Sequence, residues 1–208
     1  MMQPVTVHRS LKEKQRQERE TLILEAAEEV LMEKGYYETS MDEIAARVGI
    51  AKGTVYLHFP SKEELVVAIF QHDMERLLQL IKATISSSLT PREKAEIILE
   101  QLYGGLFTRC MQLFYSISNF AELKQNIVEK KGCVRDLWNE ISADITSLLE
   151  EGKAAGEFDS SIPTAVMLST FFCFLPPRSY KRLVDEEHIP ANELAKHLAR
   201  IYFKGITA

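Results

Sequence analysis

Cysteine is scarce: Cys110, Cys133 and Cys173 stand far apart, with no CxxC pair. An odd, scattered set excludes a disulfide framework and a thiolate metal site, and fits reduced thiols packed as small apolar groups. The five histidines, His8, His58, His72, His188 and His197, form no cluster with metal-ligand spacing. There is no nucleophile–base spacing and no glycine-rich phosphate loop, so no catalytic residue, metal or cofactor is expected, and the chain is not read as an enzyme. Strand-like Val/Ile/Thr alternation is scarce too. With nine glycines and seven prolines in 208 residues, long stretches run uninterrupted, and the class reads as all-α. No apolar run is long: the richest, around 165–175, is about half of the ~20 residues a membrane span needs. The opening segment, MMQPVTVHRSLKEKQRQERE, has no apolar core of the kind a signal peptide needs. No membrane partner is expected, and the reading is cytoplasmic. Positive charge is not in excess, since the net charge is −5, which argues against coating nucleic acid by bulk charge but not against a local basic surface.

What is present is a succession of helix signals. Ser10 with Glu13, Ser40 with Glu43 and Ser61 with Glu64 each have the capping-box form, a hydroxyl followed three residues later by a carboxylate. The first opens a helix over 10–34, polar in its first half, with Ile23, Ala27, Val30 and Leu31 as an inward stripe, and Gly35 stops it. The second opens a short helix through Val48, stopped by Gly49; the third launches a long amphipathic helix to about Ser86. Residues 20–60 thus hold three helices on very short connections, the spacing of a helix-turn-helix.

Further on, Thr90-Pro91 followed by Glu93 starts a helix over 92–108, and an apolar segment covers 110–128. A long helix runs from about Val134 to Ala154, EGKAAGEFDSSIP is a turn, and an apolar helix over 163–175 is broken by Pro176-Pro177. A last amphipathic helix covers 191–204. Two domains are expected, 1–62 and 63–208, with the division inside the long helix so that the two are mechanically coupled rather than flexibly linked.

The stretch GIAKGTVYLHFPSKEEL, 49–65, contains the third short helix. Val55 and Phe59 are four apart and face inward, leaving Lys52, Thr54, Tyr56 and His58 nearer the outside, while Ala51 and Gly53 are small enough for close approach by a bulky partner. Helix-terminal amides with Lys, Thr and Tyr donors suit phosphate oxygens, and a helix of this size fits a major groove. Taken singly, Tyr56 and His58 also fit ordinary packing and Lys52 a solvated charge; the set behind a helix-turn-helix points to double-stranded DNA. Residues 1–62 carry nine Lys/Arg against ten Asp/Glu, so the module is not basic overall. Residues 9–19 hold five cations and two anions, and this arm either follows phosphates or simply extends a solvated helix.

The run ILEAAEEVLMEKGYYETSMDEIAARVGIAKGTVYLHFPSKEEL closely resembles the DNA-binding domain of the tetracycline-repressor (TetR) family of bacterial transcription regulators. The matching features are Ala26-Ala27, Gly35-Tyr36, Thr39-Ser40, Ile44-Ala45 with Val48-Gly49, and the whole of KGTVYLHFPSKEEL. EGKAAGEF at 151–158 is similar to a turn common in the family's C-terminal half. The resemblance implies that Thr39 and Ser40 hold phosphates, that Lys52, Gly53, Thr54, Tyr56 and His58 form the recognition face, and that Lys62 clamps another phosphate. Two positions depart from the pattern: Asp42 stands where many members have an arginine, and Leu57 where an aromatic is frequent. A carboxylate at 42 cannot hold a guanine; it accepts from cytosine or stays away from DNA.

The resemblance also implies a homodimer through the last two helices and a small-molecule effector pocket among the middle ones. Independently, residues 164–175 are apolar nearly all round, more than one chain's core covers, and Leu194, Leu198, Ile201 and Tyr202 stripe the last helix. Tyr103, Phe107, Met111, Phe114, Tyr115, Leu137, Trp138, Ile141 and Phe171 are the candidate pocket residues, with core packing the alternative for each. So few charges favour an apolar or amphipathic effector. His72, Glu75 and Arg76 offer polar contacts or plain solvated surface. The expectation is a ligand-responsive regulator, a repressor on a pseudo-palindromic operator. The alternatives are an inducer-free architectural or division-linked factor of the same fold, and a carrier or enzyme that has borrowed it.

Overall fold

The computed structural model describes residues 11–106, 132–173 and 175–207. They are helical nearly throughout, in the order α1 (Leu11–Glu38), α2 (Met41–Val48), α3 (Lys52–His58), α4 (Lys62–Ile85), α5 (Pro91–Gln101), α6 (Gly132–Ala154), α7 (Thr164–Cys173), α8 (Pro177–Lys181) and α9 (Ala191–Ile206). Single π-helical turns follow α5 at Leu102–Leu106 and α8 at Arg182–Glu186. Compactness divides the chain between Ile69 and Phe70, within α4.

In the first unit the helix ends are set by local chemistry. Gly35 interrupts α1 with φ of 79° and ψ of 173°, so the helix proper ends where the glycine predicts and Tyr36–Glu38 form a separate turn. Ser40 caps α2 by accepting from the Glu43 amide at 3.2 Å, and Gly49 closes it in the left-handed region at φ of 76°. Ser61 accepts from the Glu64 amide at 3.1 Å at the start of α4. Ser10 and its cap lie outside the described residues. Ile23, Ala27, Val30, Leu31, Ile44 and Val55 make the centre of the core, with Phe59 and Leu65 closing it. Polar ties run along its surface: Arg47 forks onto Glu29 and Glu33, and Lys34 donates to Glu43, joining α1 to α2.

In the second unit, Thr90 and Glu93 form the full reciprocal capping box, with Pro91 at the first helical position. α9 packs on α5, on the π-helical turn after it and on α7; α6 packs on α5 and α7. Ile98, Leu99, Ile141, Ile145, Phe171 and Phe203 are among the fully enclosed side chains. The chain leaves α6 through Gly156, at φ of 73°, and Phe158 makes a single antiparallel bridge to Thr207 at the end of α9. The helix α8 after Pro176-Pro177 was not expected from sequence; Pro177 sits at its first turn, where a missing N–H costs nothing, so the prolines that end α7 also begin α8. The predicted apolar segment 110–128 lies outside the described residues.

Candidate nucleic-acid interface

α1, α2 and α3 form the helix-turn-helix, with residues 49–51 as the turn. α3 presents Lys52, Gly53, Tyr56 and Leu57 outward, with Thr54 half-buried. Val55 and Phe59 face the core as expected. Leu57 is 79% exposed, the most open of the large apolar side chains on this helix. Among the described residues, a Cβ on Gly53 would meet nothing within 4 Å, so packing against them does not require its small size.

Three expected contacts are turned the other way. His58 is three residues after Val55 and therefore shares its inward face; its side chain is only 6% exposed. Among the described residues its Nδ1 has no hydrogen-bond partner, and it lies 3.7 Å from a Glu20 carboxylate oxygen on α1. Thr39 is 2% exposed, and its hydroxyl donates to the Gly35 carbonyl at 2.7 Å, closing the turn left open by the glycine. Lys62 points back into its own unit, donating to the carbonyls of Tyr36 at 2.7 Å and Thr39 at 2.9 Å. Its ammonium also stands 4.2 Å from the centroid of the Tyr36 ring. Burial holds the Lys62 amine below the ordinary lysine range. The Tyr36 hydroxyl donates to Glu63 at 2.6 Å, which lowers the Glu63 carboxyl, while burial and that same bond push the Tyr36 phenol up.

Ser40 remains exposed, its oxygen engaged as the α2 cap. Asp42, in the first turn of α2, accepts from Lys52 Nζ at 2.7 Å, and this hydrogen bond raises the Lys52 amine. Lys52 also lies 5.9 Å from the centroid of the Tyr56 ring. The pairing of 42 with 52 had no sequence signal, because no local rule links residues on two helices across a turn. Lys12, Lys14, Arg16 and Arg19 are exposed along the first half of α1. The outward set is thus an ammonium, a carboxylate, hydroxyls, a glycine and one apolar side chain on a two-helix face, a composition able to meet both phosphates and base edges.

The profile of bacterial regulatory proteins of the tetR family matches residues 23–69, the stretch that carries this face. Residues 23–69 are a DNA-binding domain of the tetR type. Over 193 residues, 93% of this chain and 98% of the relative, it is 25% identical to the fatty acid metabolism regulator protein of Bacillus subtilis (strain 168). It is 43% identical over 65 residues to the transcriptional regulator UidR of Escherichia coli K12, covering 31% of this chain and 33% of UidR. The solved fatty acid degradation regulator FadR of Bacillus halodurans superposes with a TM-score of 0.73 at 24% identity, covering 90% of this chain and 95% of that one. The transcriptional regulator FadR of Bacillus subtilis, solved with stearoyl-CoA, gives 0.70 at 22%, covering 89% and 98%. At those identities the structures establish a shared fold. The relatives are regulators of transcription rather than enzymes, and the matched domain of this chain supports the same DNA-binding role in transcription.

The second unit gathers several of the expected pocket residues into one packed cluster. Tyr103 is buried and its hydroxyl donates to the Phe171 carbonyl at 3.2 Å; Ile141 and Phe171 are fully enclosed. Leu137 is half-buried against the same cluster, and Trp138 reaches it from the surface, 4.7 Å from the Phe172 ring. Phe107, Met111, Phe114 and Tyr115 lie outside the described residues. His72, Glu75 and Arg76 sit at the surface of α4, half-buried or exposed.

The last two long helices are more two-sided than their composition suggests. In α7, Met167, Phe171 and Phe172 go inward, and the outward stripe is Ala165, Val166, Ser169, Thr170 and Cys173. In α9, Leu194, Leu198 and Tyr202 are buried within their own chain, and Tyr202 donates to the Met167 carbonyl at 2.8 Å. Ile201 departs from that stripe and is 59% exposed, because the buried arc of α9 is centred on Leu198 and Ala199, and Ile201 falls beyond its edge. Among the described residues no helix is long and apolar enough to cross a membrane, and no group of three His, Cys, Asp or Glu side chains is placed to hold a metal ion.

Proposed function

We propose that this protein is a dimeric repressor, acting in the cytoplasm, whose hold on a pseudo-palindromic operator is released by a long-chain acyl thioester of coenzyme A. The observation that carries the reading is the relationship to the fatty acid metabolism regulator over 98% of that protein's length, well beyond the DNA-binding domain shared by all members. The stearoyl-CoA in the FadR structure of Bacillus subtilis identifies the chemistry to test first. An acyl chain matches a helical unit whose interior is aliphatic and aromatic, since each methylene removed from water is worth about 0.8 kcal/mol.

The division of labour is a DNA-binding domain over 1–62 and an effector-binding and dimerisation domain over 63–208. The outward stripes of α7 and α9 form the dimer face: small side chains on α7 allow close approach of a second copy, and a two-fold axis sets two recognition helices on one side of the duplex. On DNA, Ser40, Lys52, Gly53, Thr54 and Tyr56 make the contacts, with Thr39 taking part through its main chain. Release requires that the acyl thioester bind the non-operator state more tightly than the operator state, because a ligand with equal affinity for both shifts nothing.

A second reading, an inducer-free DNA-binding factor of the same fold, is favoured by the close packing of Tyr103, Ile141 and Phe171. One titration separates the two. Sites are selected from genomic DNA with the purified protein, and the bound fluorescent operator is titrated with stearoyl-CoA, stearate and free coenzyme A. Release by stearoyl-CoA alone supports the repressor reading. Operator retained at saturating stearoyl-CoA leaves the inducer-free factor.

A further inference from the structure

The pair Lys52–Asp42 joins two helices on the outward face, yet holds neither in place. Both side chains are more than half exposed, at 53% and 61%, and exposed ion pairs of this kind contribute little to folding. Its position beside Gly53 and Tyr56 puts it where the duplex lies on the operator-binding reading, on which this inference rests.

The geometry of the pair matches one feature of the major groove. A G·C pair shows guanine O6 and N7 as acceptors and cytosine N4 as a donor. O6 and N4 are hydrogen-bonded to each other, so they lie about 2.9 Å apart. Lys52 Nζ and Asp42 Oδ2 are 2.7 Å apart, a donor beside an acceptor at nearly the same spacing. Set edge to edge, Nζ donates to O6 while the carboxylate accepts from N4–H. An ammonium has three N–H groups, so after Asp42 and O6 one remains for N7 of the same guanine. An A·T pair also offers an amino group beside a keto oxygen. Beyond that oxygen, however, stands the thymine methyl, where the third N–H finds no acceptor.

We propose that Asp42 and Lys52 act together as one reader of a G·C pair in each half-site, and that Asp42 is a specificity-determining residue. The carboxylate supplies the cytosine contact and keeps the ammonium from settling on phosphates. A lysine alone would bind guanine or phosphate with little discrimination.

The test uses the full-length protein and its selected operator, comparing wild type with Asp42→Ala, Asp42→Asn and Lys52→Ala in competition binding at two salt concentrations. Wild type is expected to prefer G·C over A·T at one symmetric position by about tenfold, and to lose about threefold or more when that guanine is replaced by 7-deazaguanine. Asp42→Ala and Asp42→Asn are expected to cut the preference at that position to about threefold or less, while binding to mixed-sequence DNA tightens and becomes more salt-dependent. Adding Asp42→Ala to Lys52→Ala should change nothing further at that base pair, because the two act as a unit. If Asp42→Ala tightens binding to all sequences equally and leaves each base preference intact, the carboxylate merely repels phosphate and the proposal is overturned. A wild-type protein that enriches no sequence would instead overturn the operator-binding reading, and the pair with it.

Discussion

The ring of Phe158 lies directly against Gly152: a Cβ on that glycine would sit 2.2 Å from ring carbon Cε2. Gly152 is in the last turns of α6 and its carbonyl accepts from the amides of Glu157 and Phe158, so the chain folds back over the helix it has just left. Phe158 is itself almost fully enclosed and stacks 6.0 Å from Phe203. The motif EGKAAGEF therefore owes its two glycines to different causes, one to close approach and one, Gly156, to a left-handed turn. Gly152→Ala should destabilise the protein by about 2–3 kcal/mol, the overpacking cost outweighing the helix-propensity gain. Chemical denaturation reads this directly, and an unchanged midpoint would mean the ring moves freely.

Gly53 makes the opposite case. With no atom of the described residues near its missing Cβ, Gly53→Ala should leave stability unchanged or raise it by about 0.5 kcal/mol, since alanine loses less backbone entropy in a helix. Operator binding should nonetheless weaken by about tenfold if the duplex comes close to this position. Stability and binding moving in opposite directions is the signature; both unchanged would remove Gly53 from the interface.

Lys62 is expected to act by positioning rather than by contact. Its ammonium ties the start of α4 to the carbonyls of Tyr36 and Thr39, so Lys62→Met should cost about 1–2 kcal/mol of stability. Removing a phosphate contact lowers the slope of log affinity against log salt by about one; removing a positioning residue does not. Measuring that slope for Lys62→Met and wild type distinguishes the roles, and a slope lowered by about one would restore the phosphate clamp.

Tyr36 and Glu63 carry a pH dependence. The Tyr36 hydrogen bond holds the Glu63 carboxyl below its ordinary range. A depressed acid adds stability that is present above its unfolded pKa, about 4.3 for glutamate, and is lost as pH falls through the lower folded value. Tyr36→Phe should therefore be less stable than wild type at neutral pH, with the gap closing below about pH 4. Glu63 is mostly solvated, so screening keeps the effect well under about 1 kcal/mol. A gap that stays constant to acid pH would assign it to packing of the ring.

What could be read from the chain alone was whatever its own neighbours decide. Ser40, Ser61 and Thr90 begin helices, and Gly35 and Gly49 end them, because capping and left-handed turns act over three to five residues. The helix-turn-helix, the resemblance of residues 23–69 to tetR-family domains and the outward placement of Lys52, Gly53 and Tyr56 followed from those ends and from the order of residues between them. His58, expected nearer the outside once Val55 and Phe59 faced inward, instead lies three residues after Val55 on the same inward face.

The rest was decided in three dimensions. Lys62 and Tyr36 are 26 residues apart, and a flexible lysine at a helix start looks solvent-bound until the carbonyls it caps are brought beside it. Asp42 and Lys52 meet only because α2 and α3 cross, and Gly152 is indispensable only once the chain turns Phe158 back onto α6. Local order set where each helix begins and stops; contacts between distant residues, which obey no spacing rule, settled which side chains remain on the surface of the helix-turn-helix.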